Sequence, residues 1–243
     1  MISASRIGKH WFGESEVVPD ARAGVAAPAA RGDRHESRAV KNDAIVYIVD
    51  DDGSVCRALA RLIRSIGFSA ETFRSAQAFL DHPLTDSAAC LILDIRLPGP
   101  SGLELQDTLS RVGRDLPIVF ITGHGDVPTT VRAMKGGAVD FLQKPFDDGE
   151  LLDCVQRALA KSREQRAERA ERTQLQLRLD TLTPREREVL LHVVTGQLNK
   201  QIAGDLGIAE KTIKVHRGRV MQKMQAGSVA DLVRMVEKLG LSA

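Results

Sequence analysis

Four short apolar runs punctuate the first two thirds of the chain. They are Ala44-Ile-Val-Tyr-Ile-Val49, Cys90-Leu-Ile-Leu93, Pro117-Ile-Val-Phe-Ile121 and Val139-Asp-Phe-Leu142. Short β-branched-rich runs bounded by turn residues predict strands buried in a parallel sheet. Beyond the fourth run the period lengthens to that of a helix. Leu151, Leu152, Val155 and Leu159 form one apolar face. Lys161 to Arg172 then contains strong helix formers and no Gly or Pro, so the helix is predicted to outlast that face. Leu175 and Leu179 resume the apolar spacing. A solvated helical linker is the simpler reading of this segment. A parallel coiled coil is the sharper one, but apolar a and d positions fail between 160 and 174.

The last sixty residues predict a helical domain. Thr183 is an N-cap, Pro184 takes the first helical position and Glu186 completes a capping box. Val189, Leu190 and Val193 supply the apolar face, and Gly196 stops the helix. A short helix follows over Lys200–Leu206. Gly207-Ile208-Ala209 makes a tight turn, and a third helix runs from Glu210 to Met224. Two helices joined by a Gly-containing turn predict a helix-turn-helix, whose second helix enters the major groove of DNA. On that helix Ile213, Val220 and Met224 share the inward face, which leaves Lys211, Lys214, Val215 and Gly218 on the groove side. Arg217, Arg219 and Lys223 flank the stripe and suit phosphates. His216 reads equally as a phosphate contact or a packed histidine.

The polar residues that close the apolar runs suggest a chemistry. Asp50 and Asp51 follow the first run, Asp94 the second, Thr122 the third and Lys144 the fourth. Parallel strands bring their carboxyl ends to one edge, where ligands bind. Three carboxylates, a hydroxyl and an ammonium would then share one site. Crowded carboxylates call for a cation, and hard oxygen donors in small number suit Mg²⁺. A carboxylate beside Mg²⁺, a hydroxyl and a lysine is arranged to accept a phosphoryl group. Taken singly, each residue has a plainer explanation as a cap, a turn or a solvated charge. The joint placement at strand ends is what favours the site.

With the flanking stretches Ile121-Thr-Gly-His-Gly-Asp-Val-Pro128 and Asp140-Phe-Leu-Gln-Lys-Pro-Phe146, this constellation resembles the receiver domain of two-component response regulators, the FixJ subgroup in particular. The resemblance implies an α/β doubly wound, five-stranded parallel sheet of the flavodoxin/CheY-like type. It makes Asp94 the phosphoacceptor and Asp51 a direct Mg²⁺ ligand, with Asp50 acting mainly through water and the backbone carbonyl of Arg96 as a further ligand. Thr122 and Lys144 would contact the phosphoryl oxygens, Phe141 would be the switch aromatic, and the Lys144–Pro145 bond would be cis. Asp52 stands where a glutamate is often found. Residues 181–240 resemble the LuxR/NarL-type helix-turn-helix domain. That likeness implies base contacts from Lys214 and Val215 and phosphate contacts from Thr212, Asn199 and Lys200. Gly218 replaces a frequent lysine.

The expected organisation is a disordered tail over 1–43, a receiver over 44–160, a helical linker over 161–180 and a small all-α DNA-binding domain over 181–243. The tail has no apolar core region of a secretory signal. Composition changes this picture little. The 243 residues carry a net charge of +2, yet residues 196–243 hold eight Lys/Arg against four Asp/Glu, so basicity concentrates in the DNA-binding segment. Aromatics are only 4%, which argues against a small-molecule pocket of the autoinducer type. Cys56, Cys90 and Cys154 have neither metal nor disulfide spacing and read as reduced thiols of a cytoplasmic protein. No membrane span is expected. The implied partners are a sensor histidine kinase, promoter DNA, RNA polymerase and, once phosphorylated, a second copy of the chain. No substrate-turnover enzyme is expected. Two other readings stand beside this one. An aspartyl-phosphate hydrolase needs an acid two residues after its nucleophile, where this chain has Arg96. A constitutive DNA-binding protein would use its receiver only structurally.

Overall fold

The computed structural model describes residues 43–123 and 126–241. The expected N-terminal tail lies outside the described residues up to position 42. So do His124 and Gly125, within the stretch that follows the fourth strand.

Five parallel strands form one sheet: β1 (Ile45–Val49), β2 (Ser69–Phe73), β3 (Ala89–Asp94), β4 (Ile118–Thr122) and β5 (Asp140–Gln143). Their order is β2-β1-β3-β4-β5. The direction of winding therefore reverses between β1 and β3, the place where doubly wound sheets bind ligands. Side chains alternate between two cores. Val46, Ile48, Cys90, Ile92, Val119 and Ile121 face α1 (Gly53–Ser65) and the start of α5 (Asp148–Asp180). Tyr47, Val49, Leu91, Leu93, Ile118 and Phe120 face α2 (Ala76–Leu80), α3 (Gly102–Arg111) and α4 (Val127–Lys135). Burial on both faces explains the unbroken apolar runs.

The long helix α5 has 33 residues. Its first turns pack Leu151, Val155, Ala158 and Leu159 into the sheet. Ser162, also buried, accepts a hydrogen bond from the backbone N–H of Ala89 at 3.0 Å. Arg166 then pairs with Asp86 at 2.9 Å, and Arg169 pairs with Asp115. Leu175 and Leu179 are buried in the C-terminal core. The resumed apolar spacing thus serves that core, which accounts for it without a coiled coil. Residues 167–174 form a fully exposed run, with no buried position.

The C-terminal core gathers α6 (Pro184–Val194), α7 (Asn199–Leu206), α8 (Glu210–Met224) and α9 (Val229–Lys238) around Val189, Leu190, Val193, Ile202, Ile213, Val220 and Leu232. The capping box of α6 is formed by Thr183 and Glu186 as expected. Gly207 takes φ +64°, the left-handed conformation that the turn between α7 and α8 requires. Cys56, Cys90 and Cys154 are free and buried, and burial pushes their thiols up in pKa. No helix among the described residues is long and apolar enough to cross a membrane.

Candidate phosphoacceptor site and nucleic-acid interface

The carboxyl edge of the sheet collects the residues picked from the strand ends. Asp94 is the last residue of β3, Asp50 follows β1, Thr122 closes β4 and Lys144 follows β5. Parallel register sets Asp94 beside Ile121, so Thr122 lies one residue beyond it on the neighbouring strand. Carboxylate oxygens of Asp50, Asp51 and Asp94 all lie within 4.8 Å of one another. Lys144 Nζ bridges two of them, donating to Asp50 Oδ2 at 2.6 Å and Asp94 Oδ2 at 2.7 Å. The Lys144 backbone N–H donates to Thr122 O at 2.7 Å, and the Lys144–Pro145 bond is cis.

Backbone donors hold the remaining carboxylate oxygens. Asp52 N–H donates to Asp50 Oδ1 at 2.8 Å, and Arg96 N–H donates to Asp94 Oδ1 at 2.9 Å. Burial pushes the Asp50 carboxyl up in pKa, more than the Lys144 hydrogen bond holds it down. Burial opposes charge on Lys144 as well, yet its bonds to Asp50 and Asp94 prevail and raise its pKa. Two buried carboxylates facing one ammonium, with the exposed Asp51 beside them, leave the cluster short of positive charge. The donor set is all oxygen, which fits a hard divalent cation. Asp51 and Arg96 are exposed at the mouth of the cluster. Phe141, on β5, is half-buried against the α3–α4 side.

Two local features here escaped the sequence reading. Gly102, the first residue of α3, runs against the backbone of Asp94, and a Cβ at 102 would lie 2.3 Å from Asp94 O. The Ser101–Glu104 capping box around it was a visible Ser-x-x-Glu signal. Asp52 caps α1 through Ser54 N–H at 2.7 Å, so the shorter acid at this position serves the helix that follows the acidic pair.

The second surface lies on α7 and α8. Lys200, Lys211, Thr212, Lys214, Val215, Gly218 and Arg219 are all exposed, while Ile213, Val220 and Met224 are buried as the spacing predicted. Asn199 Oδ1 accepts from Arg217 at 3.1 Å, tying the two helices at one end. Leu198 and Ala209, the N-caps of α7 and α8, make no side-chain cap hydrogen bond to their helices. Every other helix of the described residues has a Ser, Thr or Asp cap. First-turn N–H groups left without a side-chain acceptor suit phosphate oxygens. His216 is half-buried with Nδ1 unpartnered. Lys223 departs from the expected free phosphate contact: its ammonium donates to Glu186 Oε2 at 2.6 Å and Thr181 O at 3.0 Å.

Residues 46–156 match the response regulator receiver domain, and residues 180–236 match the bacterial regulatory proteins of the luxR family. Nodulation protein W of Bradyrhizobium diazoefficiens is 52% identical over 82% of this chain and 88% of its own. The transcriptional regulatory protein FixJ of Azorhizobium caulinodans is 44% identical over 81% of this chain and 93% of its own. This chain is a response regulator of the FixJ subgroup. Among solved structures, the response regulator StyR superposes with a TM-score of 0.71 at 50% identity, over 81% of this chain and 99% of that one.

As a response regulator it pairs a receiver with a LuxR-type DNA-binding domain, and the family's partners are a histidine kinase and promoter DNA. The family regulates transcription. In this response regulator the charged strand ends and the exposed cationic helix lie in separate matched regions, joined by α5.

Proposed function

We propose that Asp94 accepts a phosphoryl group from a sensor histidine kinase and that the phosphorylated chain dimerises to bind promoter DNA. The observation that carries this reading is the Asp50–Asp51–Asp94 cluster bridged by Lys144 at the switch point of the sheet. An Asp94 oxygen attacks phosphorus, and the bond from phosphorus to the donor imidazole breaks. Lys144 stands ready to exchange its bond to Asp94 for one to a phosphoryl oxygen, and Thr122 offers a hydroxyl from the next strand. Mg²⁺ fits this donor set: Asp51, Asp94 and the Arg96 carbonyl would hold it, and Asp50 would act on it mainly through water. When bound it neutralises charge on the transferring group.

Phosphorylation adds about −1.5 to −2 charge at a buried strand end. Thr122 and Lys144 then draw inward, and the change passes to Phe141 and α4. Val127, Val131 and Met134 form an exposed apolar stripe on α4, which suits the second copy. Two α8 helices would then reach half-sites about one helical turn apart. Lys214 and Val215 read base edges with Gly218 beside them. Asn199, Lys200, Lys211, Thr212 and Arg219 hold phosphates. Bound at a promoter in the cytoplasm, the dimer acts on RNA polymerase. It turns over no substrate.

The test is footprinting of genomic fragments by the chain with and without acetyl phosphate, beside Asp94→Asn. We expect protection that strengthens on phosphorylation, and no acyl-phosphate label or strengthening in the variant. Equal protection in all three conditions would instead mean a constitutive DNA-binding protein. On a recovered site, Lys214→Ala should cut the ratio of specific to random binding. Arg219→Ala should weaken both alike and flatten the salt dependence by about one charge.

A further inference from the structure

Lys223 sits where the end of α5, the start of α6 and the end of α8 meet. Its Nζ donates to Glu186 Oε2 at 2.6 Å and to the Thr181 carbonyl at 3.0 Å. The same Glu186 oxygen accepts the Thr183 N–H at 2.9 Å and so closes the cap of α6. Glu186 is 2% exposed. In the opposite direction, Arg178 of α5 donates to Met224 O, the last carbonyl of α8, at 3.4 Å. Each helix therefore supplies a cation to the other's carboxyl end, where the helix dipole is negative. Beneath the pair, Leu175 and Leu179 of α5 share one core with Val220 and Met224 of α8.

We infer that Lys223 is a positioning residue for DNA recognition rather than a phosphate contact: with Glu186 and Arg178 it clamps the end of α8 to α5, the helix that comes from the receiver. Three observations carry this. Helical geometry turns Lys223 about 130° from the centre of the Lys211–Lys214–Val215–Gly218 stripe, at about 100° per residue. Its ammonium already serves a buried carboxylate and a helix-end carbonyl. Swinging it to a phosphate would leave Glu186 buried without its counter-charge, a greater loss than one surface phosphate contact returns. The clamp also gives a physical route from receiver to groove, because any rotation at the end of α5 is handed to α8 through these bonds. The inference rests on α8 as the groove helix.

The experiment uses the full chain phosphorylated with acetyl phosphate. The probes are a duplex that this protein selects from a random-sequence pool and a scrambled duplex of equal length, each titrated over a salt series. The variants are Lys223→Met, Lys223→Arg, Glu186→Gln and the double Lys223→Met/Glu186→Gln. Active fractions are set by stoichiometric titration, well below each melting temperature. We expect Lys223→Met to weaken the selected duplex about tenfold, to spare the scrambled one and to leave the salt slope unchanged. Glu186→Gln should match it, the double variant should lose no more than either single, and Lys223→Arg should recover most of the loss. Equal weakening on both duplexes with a slope lower by about one would make Lys223 a phosphate contact and overturn the clamp. Additive losses in the double variant would overturn it too. Lys214→Ala, run in parallel, reports on α8 by itself. Unchanged discrimination there removes α8 as the reading helix, whereas lost discrimination there with a slope change at Lys223 removes only the clamp.

Discussion

The Ser162 hydroxyl on α5 accepts the N–H of Ala89, the first residue of the strand that ends at Asp94. The helix that leaves the receiver is thus bonded to the amino end of the phosphoacceptor strand. Ser162 is buried, so no water replaces the bond when the hydroxyl is removed. Ser162→Ala should cost about 1–3 kcal/mol by leaving a buried N–H unpaired. Urea unfolding of the chain, followed by circular dichroism, measures it. A loss below a few tenths would show that the amide finds another acceptor.

Metal dependence should follow the acidic cluster. Chelation of divalent cations, or Asp51→Asn, should lower phosphorylation by acetyl phosphate by at least about tenfold while the melting temperature stays close to that of the parent. Asp51 is exposed, so its loss should barely disturb packing. Labelling at the parent rate without metal would exclude a divalent cation from the reaction.

Gly218 offers a gain. A Cβ there meets no atom within 4 Å, and glycine inside a helix costs about 0.5–1 kcal/mol relative to alanine. Gly218→Ala should therefore raise the stability of the C-terminal domain by about that amount. Gly218→Lys should add about one charge to the salt dependence of DNA binding if the position faces the groove. Denaturant melts and salt titrations read the two effects separately.

Acid should loosen the α5–α6–α8 junction. The Lys223 hydrogen bond, helped by the Thr183 N–H, holds the Glu186 carboxyl down to about 2, from an ordinary 4.5. A pKa lowered in the folded state gives stability that is complete above 4.5 and is lost as pH falls toward 2. Melting of the C-terminal domain should therefore fall more steeply between about pH 5 and 3 in the parent than in Glu186→Gln. Identical pH dependence in the two would show that this carboxylate is not linked to folding.

The legible parts of the chain were those where one physical demand acted alone. Strands β1, β3 and β4 are buried on both faces or close to it, so their sequences are nearly continuous apolar runs. The edge strand β2, Ser-Ala-Glu-Thr-Phe, buries only Ala70 fully and carries no such run. Its place came from the resemblance, not from its own residues. Helix α8 was readable to its ends, because an inward face and turn residues bound it. The phosphoacceptor cluster was readable because strand ends converge whatever the helices do. Gly102 against the Asp94 backbone, Ser162 on Ala89 and Lys223 on Glu186 were not readable. Each depends on how two separate elements pack against one another, and spacing along one element carries no trace of that.

Helix α5 runs from Asp148 to Asp180 without a break, held to the receiver through Arg169 and built into the C-terminal core from Leu175. Length in the exposed stretch between them is therefore a setting of angle rather than of reach. One residue added or removed there turns everything beyond it by about 100° and moves it only about 1.5 Å. Seven residues bring the two ends back to within about 20°. Across descendants of this gene, insertions and deletions in residues 170–174 should survive mainly in steps of three, four or seven. A random drift of loop lengths, normal for flexible linkers, should be missing there.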